Sequence, residues 1–148
     1  MSRSRRPPRA RVATAARAPQ QVRIVGGAWR RTPIPVAEVV GLRPSPDRVR
    51  ETLFNWLAHL RPDIASLRGL DLFAGTGALG FELASRGAVK VVLVEQQPQL
   101  IERLRALQAK LEARQVEIVA GDALAVAVSL QPAGFDVVFL DPPFGAGL

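Results

Sequence analysis

The chain has 148 residues, 48% of them apolar, with no cysteine and one histidine, His59; that describes one domain with a real core and excludes a disulfide framework, a thiolate metal site and a histidine-rich metal cluster. The net charge of +7 is uneven: residues 1–68 carry fourteen arginines against Glu38, Asp47, Glu51 and Asp63, whereas residues 69–148 carry six cations and nine acids, so a basic, polyanion-facing front precedes a mildly acidic small-molecule unit. No apolar run approaches the roughly 20 residues a membrane helix needs, and metal-free chemistry in the reducing cytoplasm, away from membranes, is expected.

Residues 1–20 hold no acid and no large apolar residue except Val12, and are expected to be disordered. Three readings stay open: an RNA-attracting tail acting through phosphate contacts, an extension or mis-assigned start without function, or a transit peptide. Residues 21–60 read as an N-terminal extension facing RNA. Gln21–Gly27 alternates like a strand, Gly26-Gly27 turns it, and Trp29–Val36 returns as a second strand that Pro33 and Pro35 confine to an edge. Arg23, Arg30 and Arg31 with Trp29 form a basic cluster suited to RNA; a solvated hairpin face with Trp29 on the core fits equally. A helix follows, with Ser45 expected as N-cap, Pro46 as first helical residue and Asp47 at the positive end. Val49, Leu53, Trp56, Leu57 and Leu60 form a stripe expected to face inward, with Arg48, Arg50, Glu51 and Asn55 elsewhere and His59 on the surface. The loop Leu42-Arg43-Pro44-Ser45-Pro46 is stiff and cationic, and suits closing over a ligand.

From Leu67 strands and helices alternate. Strands are expected over 70–74, 89–95, 116–120 and 135–140, and helices over 78–86, 98–113 and 123–130. Gly87 stops the first helix, and Leu100, Ile101, Leu104, Leu107 and Leu111 point the second inward. Right-handed β-α-β units make this a parallel, doubly wound sheet, assigned to residues 61–148.

Gly75, Gly77 and Gly80 fit G-x-G-x-x-G between a strand and a helix, which indicates a nucleotide-like cofactor without saying which. Glu95, about 20 residues on, can accept both ribose hydroxyls. A dinucleotide would place its pyrophosphate beside Asp71, an unwelcome carboxylate; the ammonium and sulfonium of S-adenosylmethionine are favoured there. Asp122 with the Ala123 N–H can meet an adenine ring, and as a plain helix N-cap Asp122 reads nearly as well. Asp141-Pro142-Pro143-Phe144 lies where open α/β sheets bind ligands. The Asp141 carboxylate and the Pro142 carbonyl can accept the two hydrogens of a planar amino group, with Phe144 stacked on the ring that bears it. That aims a nitrogen lone pair at a methyl donor, with positioning and electrostatics doing most of the catalysis.

Together VRIVGGAWR, GLRPSPDRVRETLFNWL, LDLFAGTGALGFELASRGA and FLDPPF, spanning Val22 to Phe144, resemble the RsmD family of bacterial enzymes, which methylate the exocyclic N2 of a guanine in 16S ribosomal RNA. The RPSPDRVRETLFNWL stretch is the specific part. The resemblance implies a class I SAM-dependent methyltransferase (Rossmann-like α/β) parallel sheet with an N-terminal β-hairpin and helix. It implies that Asp71, Gly75 and Gly77 hold the methionine end of S-adenosylmethionine, Glu95 the ribose and Asp122 with Ala123 the adenine, with Phe73 and Gln96 beside them. Asp141, Pro142 and Phe144 would hold the target guanine, and Arg43 and Arg48 would border the RNA with Arg23, Arg30 and Arg31. The implied partner is 16S rRNA in the small ribosomal subunit or an assembly intermediate, and the complete protein is expected to be a monomer. The family continues past DPPF for several elements, so the methyltransferase unit is expected to be incomplete, its C-terminal strands missing and its last strand exposed. Two other functions remain: an amino-methyltransferase acting on DNA adenine or a protein amide, and a truncated, inactive RNA-binding remnant. An NAD-dependent oxidoreductase fits least, because DPPF would go unexplained.

Overall fold

The computed structural model describes residues 22–39, 42, 44–130 and 134–143; the expectations placed on residues 1–20, Gln21, Arg43 and Phe144 lie outside the described residues. The chain opens with a short antiparallel hairpin, β1 (Val22–Arg23) paired with β2 (Pro33–Ile34). Helix α1 (Asp47–Leu60) follows. The remainder alternates as β3 (Arg68–Asp71), α2 (Ala78–Ser85), β4 (Lys90–Glu95), α3 (Pro98–Leu111), β5 (Val116–Ala120), α4 (Ala123–Ser129) and β6 (Val137–Phe139).

The four later strands are parallel, in the order β5-β4-β3-β6. Strand β4 is apolar on both faces because both faces are covered. Val91 and Leu93 pack with Phe81 and Leu83 of α2 and Leu104 and Leu107 of α3. Val92 and Val94 pack with Ala123 and Val126 of α4. Helix α2 lies close enough to β4 that a Cβ on Gly80 would sit 2.0 Å from the Leu93 side chain. Strand β3 ends three residues before the expected Ala74. There the chain peels into the glycine turn while still donating from Leu72 N–H to Phe139 O (3.3 Å) and from Ala74 N–H to Val94 O (3.0 Å). Among the described residues β6 pairs with β3 alone, and Val138 and Leu140 are exposed.

Two expectations for α1 are overturned. Ser45 caps nothing: the helix starts after Pro46 without a side-chain cap. The apolar stripe faces inward only at Leu57, which packs against the core. Val49, Trp56 and Leu60 are exposed, Trp56 by 67% and Leu60 by 75%, and Leu53 is partly so. The buried residues are Arg50 and Phe54, both with no exposed surface. The reason lies on α2. Glu82, also fully buried, accepts from the N–H groups of Val25 (2.9 Å) and Gly26 (3.2 Å) and from Arg86 (3.1 Å), and Arg50 approaches it to 3.8 Å. A buried carboxylate demands such partners, so α1 turns its arginine inward. Phe54 comes with it, under the Arg86 guanidinium at 5.1 Å and against Phe139. The hairpin is fastened to the same helix by Ala28 N–H to Ser85 O (2.8 Å) and Trp29 N–H to Ser85 Oγ (3.0 Å).

Truncating Phe54→Ala should therefore cost about 3–5 kcal/mol of stability, while Trp56→Ala should stay within about 0.5 kcal/mol. Urea unfolding of the two variants measures this, and the reverse ranking would restore the inward stripe.

Candidate active site

The carboxyl ends of β3, β4, β5 and β6 converge on one cavity of about 320 Å³. Its lining includes Asp71, Phe73, Gly75, Glu95, Gln96, Asp122, Ala123, Asp141 and Pro142, so residues spread over seventy positions meet in one place. Gly77 lies beneath rather than on the wall. It sits at φ +83 just before α2, and a Cβ there would stand 2.6 Å from the Phe81 ring; only glycine fits this left-handed, crowded corner.

Asp71 forms the floor, 1% exposed, with Oδ1 accepting from Phe73 N–H at 3.2 Å. Burial pushes its carboxyl up to about 7, opposed by the Phe73 N–H and reinforced by the charges of Asp141 and Glu95. A cation entering the cavity would favour the ionised form. Glu95 is more engaged than the sequence suggested. Its Oε2 accepts from Gly75 N–H (2.9 Å), and its Oε1 accepts from Gln96 N–H (3.0 Å) and Gln97 N–H (3.1 Å). One side chain thus ties the end of β4 to the glycine turn and to the start of α3. A carboxylate has about four acceptor positions, and three are filled, so capacity for one further donor such as a hydroxyl remains. Asp122 accepts from Ala125 N–H at 3.0 Å and caps α4, the structural role held open for it; it lines the cavity as well.

The opposite wall comes from the N-terminal extension. Leu42, Pro44 and Ser45 line the cavity, and Ser45 Oγ lies 3.4 Å from Asp141 Oδ2. The stiff loop signals this wall, whereas Ser-Pro before a helical stripe is a common cap signature that Ser45 does not fulfil. Arg23, Arg30, Arg31 and Arg48 do not line the cavity; all four are exposed residues of the extension. Trp29 packs edge-on against Phe81, ring centres 6.4 Å apart, so the aromatic of the basic cluster is partly buried against the core. Among the described residues no group of His, Asp and Glu could hold a metal, and no helix is long and apolar enough to cross a membrane.

Asp71 gives a pH signature. It keeps its proton in the folded chain to about pH 7, against an ordinary value of 3.8. The folded state therefore binds more protons than the unfolded one between these values, and Asp71 lowers stability progressively as pH rises through that window. Relative to wild type, Asp71→Asn should gain thermal stability between pH 5 and pH 8; an unfolding-midpoint difference that does not change with pH would contradict the buried acid.

The model of the family described as conserved hypothetical protein 95 matches residues 22–148. The chain is 44% identical over 128 residues to ribosomal RNA small subunit methyltransferase D of Escherichia coli K12, covering 86% of this chain and 63% of that protein. It is 46% identical over 127 residues to the Haemophilus influenzae protein of the same name, covering 84% and 64%. The solved structure of yhhF from Escherichia coli superposes with a TM-score of 0.73 at 44% identity, covering 86% of this chain and 68% of that one. The chain thus spans just under two thirds of the length of these curated relatives. With its motifs, its parallel Rossmann-like methyltransferase sheet and this match along nearly all of the described residues, the chain belongs to the conserved hypothetical protein 95 family, that of the RsmD-type enzymes.

Proposed function

We propose that this chain carries the catalytic cavity of an S-adenosylmethionine-dependent methyltransferase acting on the exocyclic N2 of a guanine in 16S rRNA, within the small ribosomal subunit or an assembly intermediate in the cytoplasm. The observation that carries this reading is the meeting of Asp71 and Asp141-Pro142 in one cavity. The first is a buried acid with no cationic partner among the described residues, and the second an acceptor pair for a planar amino group. The relatives named ribosomal RNA small subunit methyltransferase D support the class of substrate.

The residues fit the cofactor. The volume lies at the lower end of ligand pockets, the floor carries a buried carboxyl suited to an ammonium, and the glycine turn lets a ligand approach the backbone. S-adenosylmethionine, when bound, supplies an electrophilic methyl group. Asp71, with Phe73 and Gly75, would take the methionine end, Glu95 and Gln96 the ribose, and Asp122 with Ala123 the adenine. Asp141 and the Pro142 carbonyl would accept the two hydrogens of the target amino group, localise its lone pair and hold it in line. No strong base would be needed beforehand: the sulfonium would leave as a neutral thioether, and the methylated nitrogen, then acidic, would release one proton to the Asp141 carboxylate or to water. The exposed arginines Arg23, Arg30, Arg31 and Arg48, with Arg43, supply the phosphate contacts that position RNA, and the base is flipped into the cavity.

Tritiated methyl transfer to small subunits from a strain lacking the modification tests the reading. Label on guanine N2 supports it, and label only on DNA or protein overturns the substrate. Asp141→Ala should slow transfer by about 10²–10³ while cofactor affinity changes less than about twofold; a near-normal rate would remove Asp141 from the mechanism. Changing Arg23, Arg30 and Arg31 to Glu should weaken RNA binding and flatten its dependence on salt, whereas unchanged binding would make that cluster an ordinary solvated face.

A further inference from the structure

We propose that Ser45 and Arg50 are positioning residues for Asp141: they hold the wall supplied by the N-terminal extension against the turn that receives the target amino group. This inference rests on the methyl-transfer reading of the cavity. Ser45 stands at the junction of two concavities, the main cavity and a shallow groove between α1 and β6. Its hydroxyl does not cap the helix that follows, which starts without a side-chain cap, and lies 3.4 Å from Asp141 Oδ2. That is long for such a bond, but contacts of this kind tighten when a substrate fills the site. A donor on Oδ2 limits rotation of the carboxylate and leaves Oδ1 for the incoming amino group. The prolines on either side of Ser45 restrict the backbone that presents the hydroxyl.

Arg50 anchors this loop from beneath. Its guanidinium is fully buried and touches four segments at once. Nε–H points at the Ser45 carbonyl (3.4 Å), one terminal nitrogen donates to the Arg23 carbonyl (2.8 Å), the other pairs with Asp47, and Glu82 of α2 lies at 3.8 Å. The helix that carries Glu82 begins at the glycine turn. The cofactor wall and the substrate wall are therefore indexed to each other through one planar, five-donor side chain. Lysine cannot reproduce that fork.

Single-turnover methyl transfer to unmodified small subunits, with cofactor affinity measured separately by calorimetry, tests the assignment. Ser45→Ala should slow transfer about tenfold, leaving cofactor affinity and RNA half-saturation within about twofold, and Ser45→Thr should restore the rate. Arg50→Lys should slow transfer in the same way and also lower the unfolding temperature. A Ser45→Ala rate equal to wild type, an equal loss in Ser45→Thr, or a matching loss of cofactor affinity would overturn the proposal. A second readout does not need activity: the carbon-13 resonance of the Asp141 carboxyl should move in Ser45→Ala, and an unmoved resonance overturns the contact. Absence of transfer by the wild-type chain counts against the methyl-transfer reading, and the carboxyl resonance then decides the positioning by itself.

Discussion

The buried carboxylate of Glu82 is the constraint on which the rest of the arrangement depends. Removing an ion from water costs several kcal/mol, and only full pairing offsets this. Glu82 is satisfied by two N–H groups of the hairpin turn and by Arg86, with Arg50 close by. Those partners come from three segments, so pairing the charge also assembles them. It seats the hairpin on α2, sets the rotation of α1 about its own axis, and draws Phe54 into the shared core. The outward face of α1, with Trp56 and Leu60 exposed, is a consequence of that rotation.

The acids of the cavity share a second theme. Glu95 and Asp122 each accept from backbone N–H groups where a strand passes into a turn or helix. They therefore shape the cavity before any ligand arrives, and a site whose dipoles are already oriented needs no reorganisation during reaction. Asp71 differs. Burial and the neighbouring acids leave its charge poorly supported, and its carboxyl rises to about 7. A stable carboxylate would gain little from a cationic ligand; a destabilised one gains much.

Much of the fold was legible because its signals are local. β4 is an uninterrupted apolar run, α3 repeats leucines at helical spacing, and Gly77 and Gly87 mark ends where the backbone needs positive φ. The parallel order follows from the alternation of these elements. The expected boundaries overshot β3 because Leu72 and Phe73 are as apolar as the strand before them, although the chain there has already begun to turn. The cavity acids were legible as well, since position relative to strand ends is itself a sequence property once the strands are placed.

What the sequence determined by itself was the order of strands and helices, the glycine turn, and the set of acids at the strand ends, because periodicity and turn chemistry act over a few residues. Only the tertiary structure decided which face of α1 is buried, what Ser45 touches, and where Trp29 packs. A helix with Arg50 beside an apolar stripe has two possible inward faces, and the choice depends on a partner thirty-two positions away. Ser45 looks like a cap until Asp141, ninety-six residues later, is folded against it. Long-range pairing of charges and hydrogen bonds leaves no periodic trace in the chain, so it becomes visible only when the segments have met.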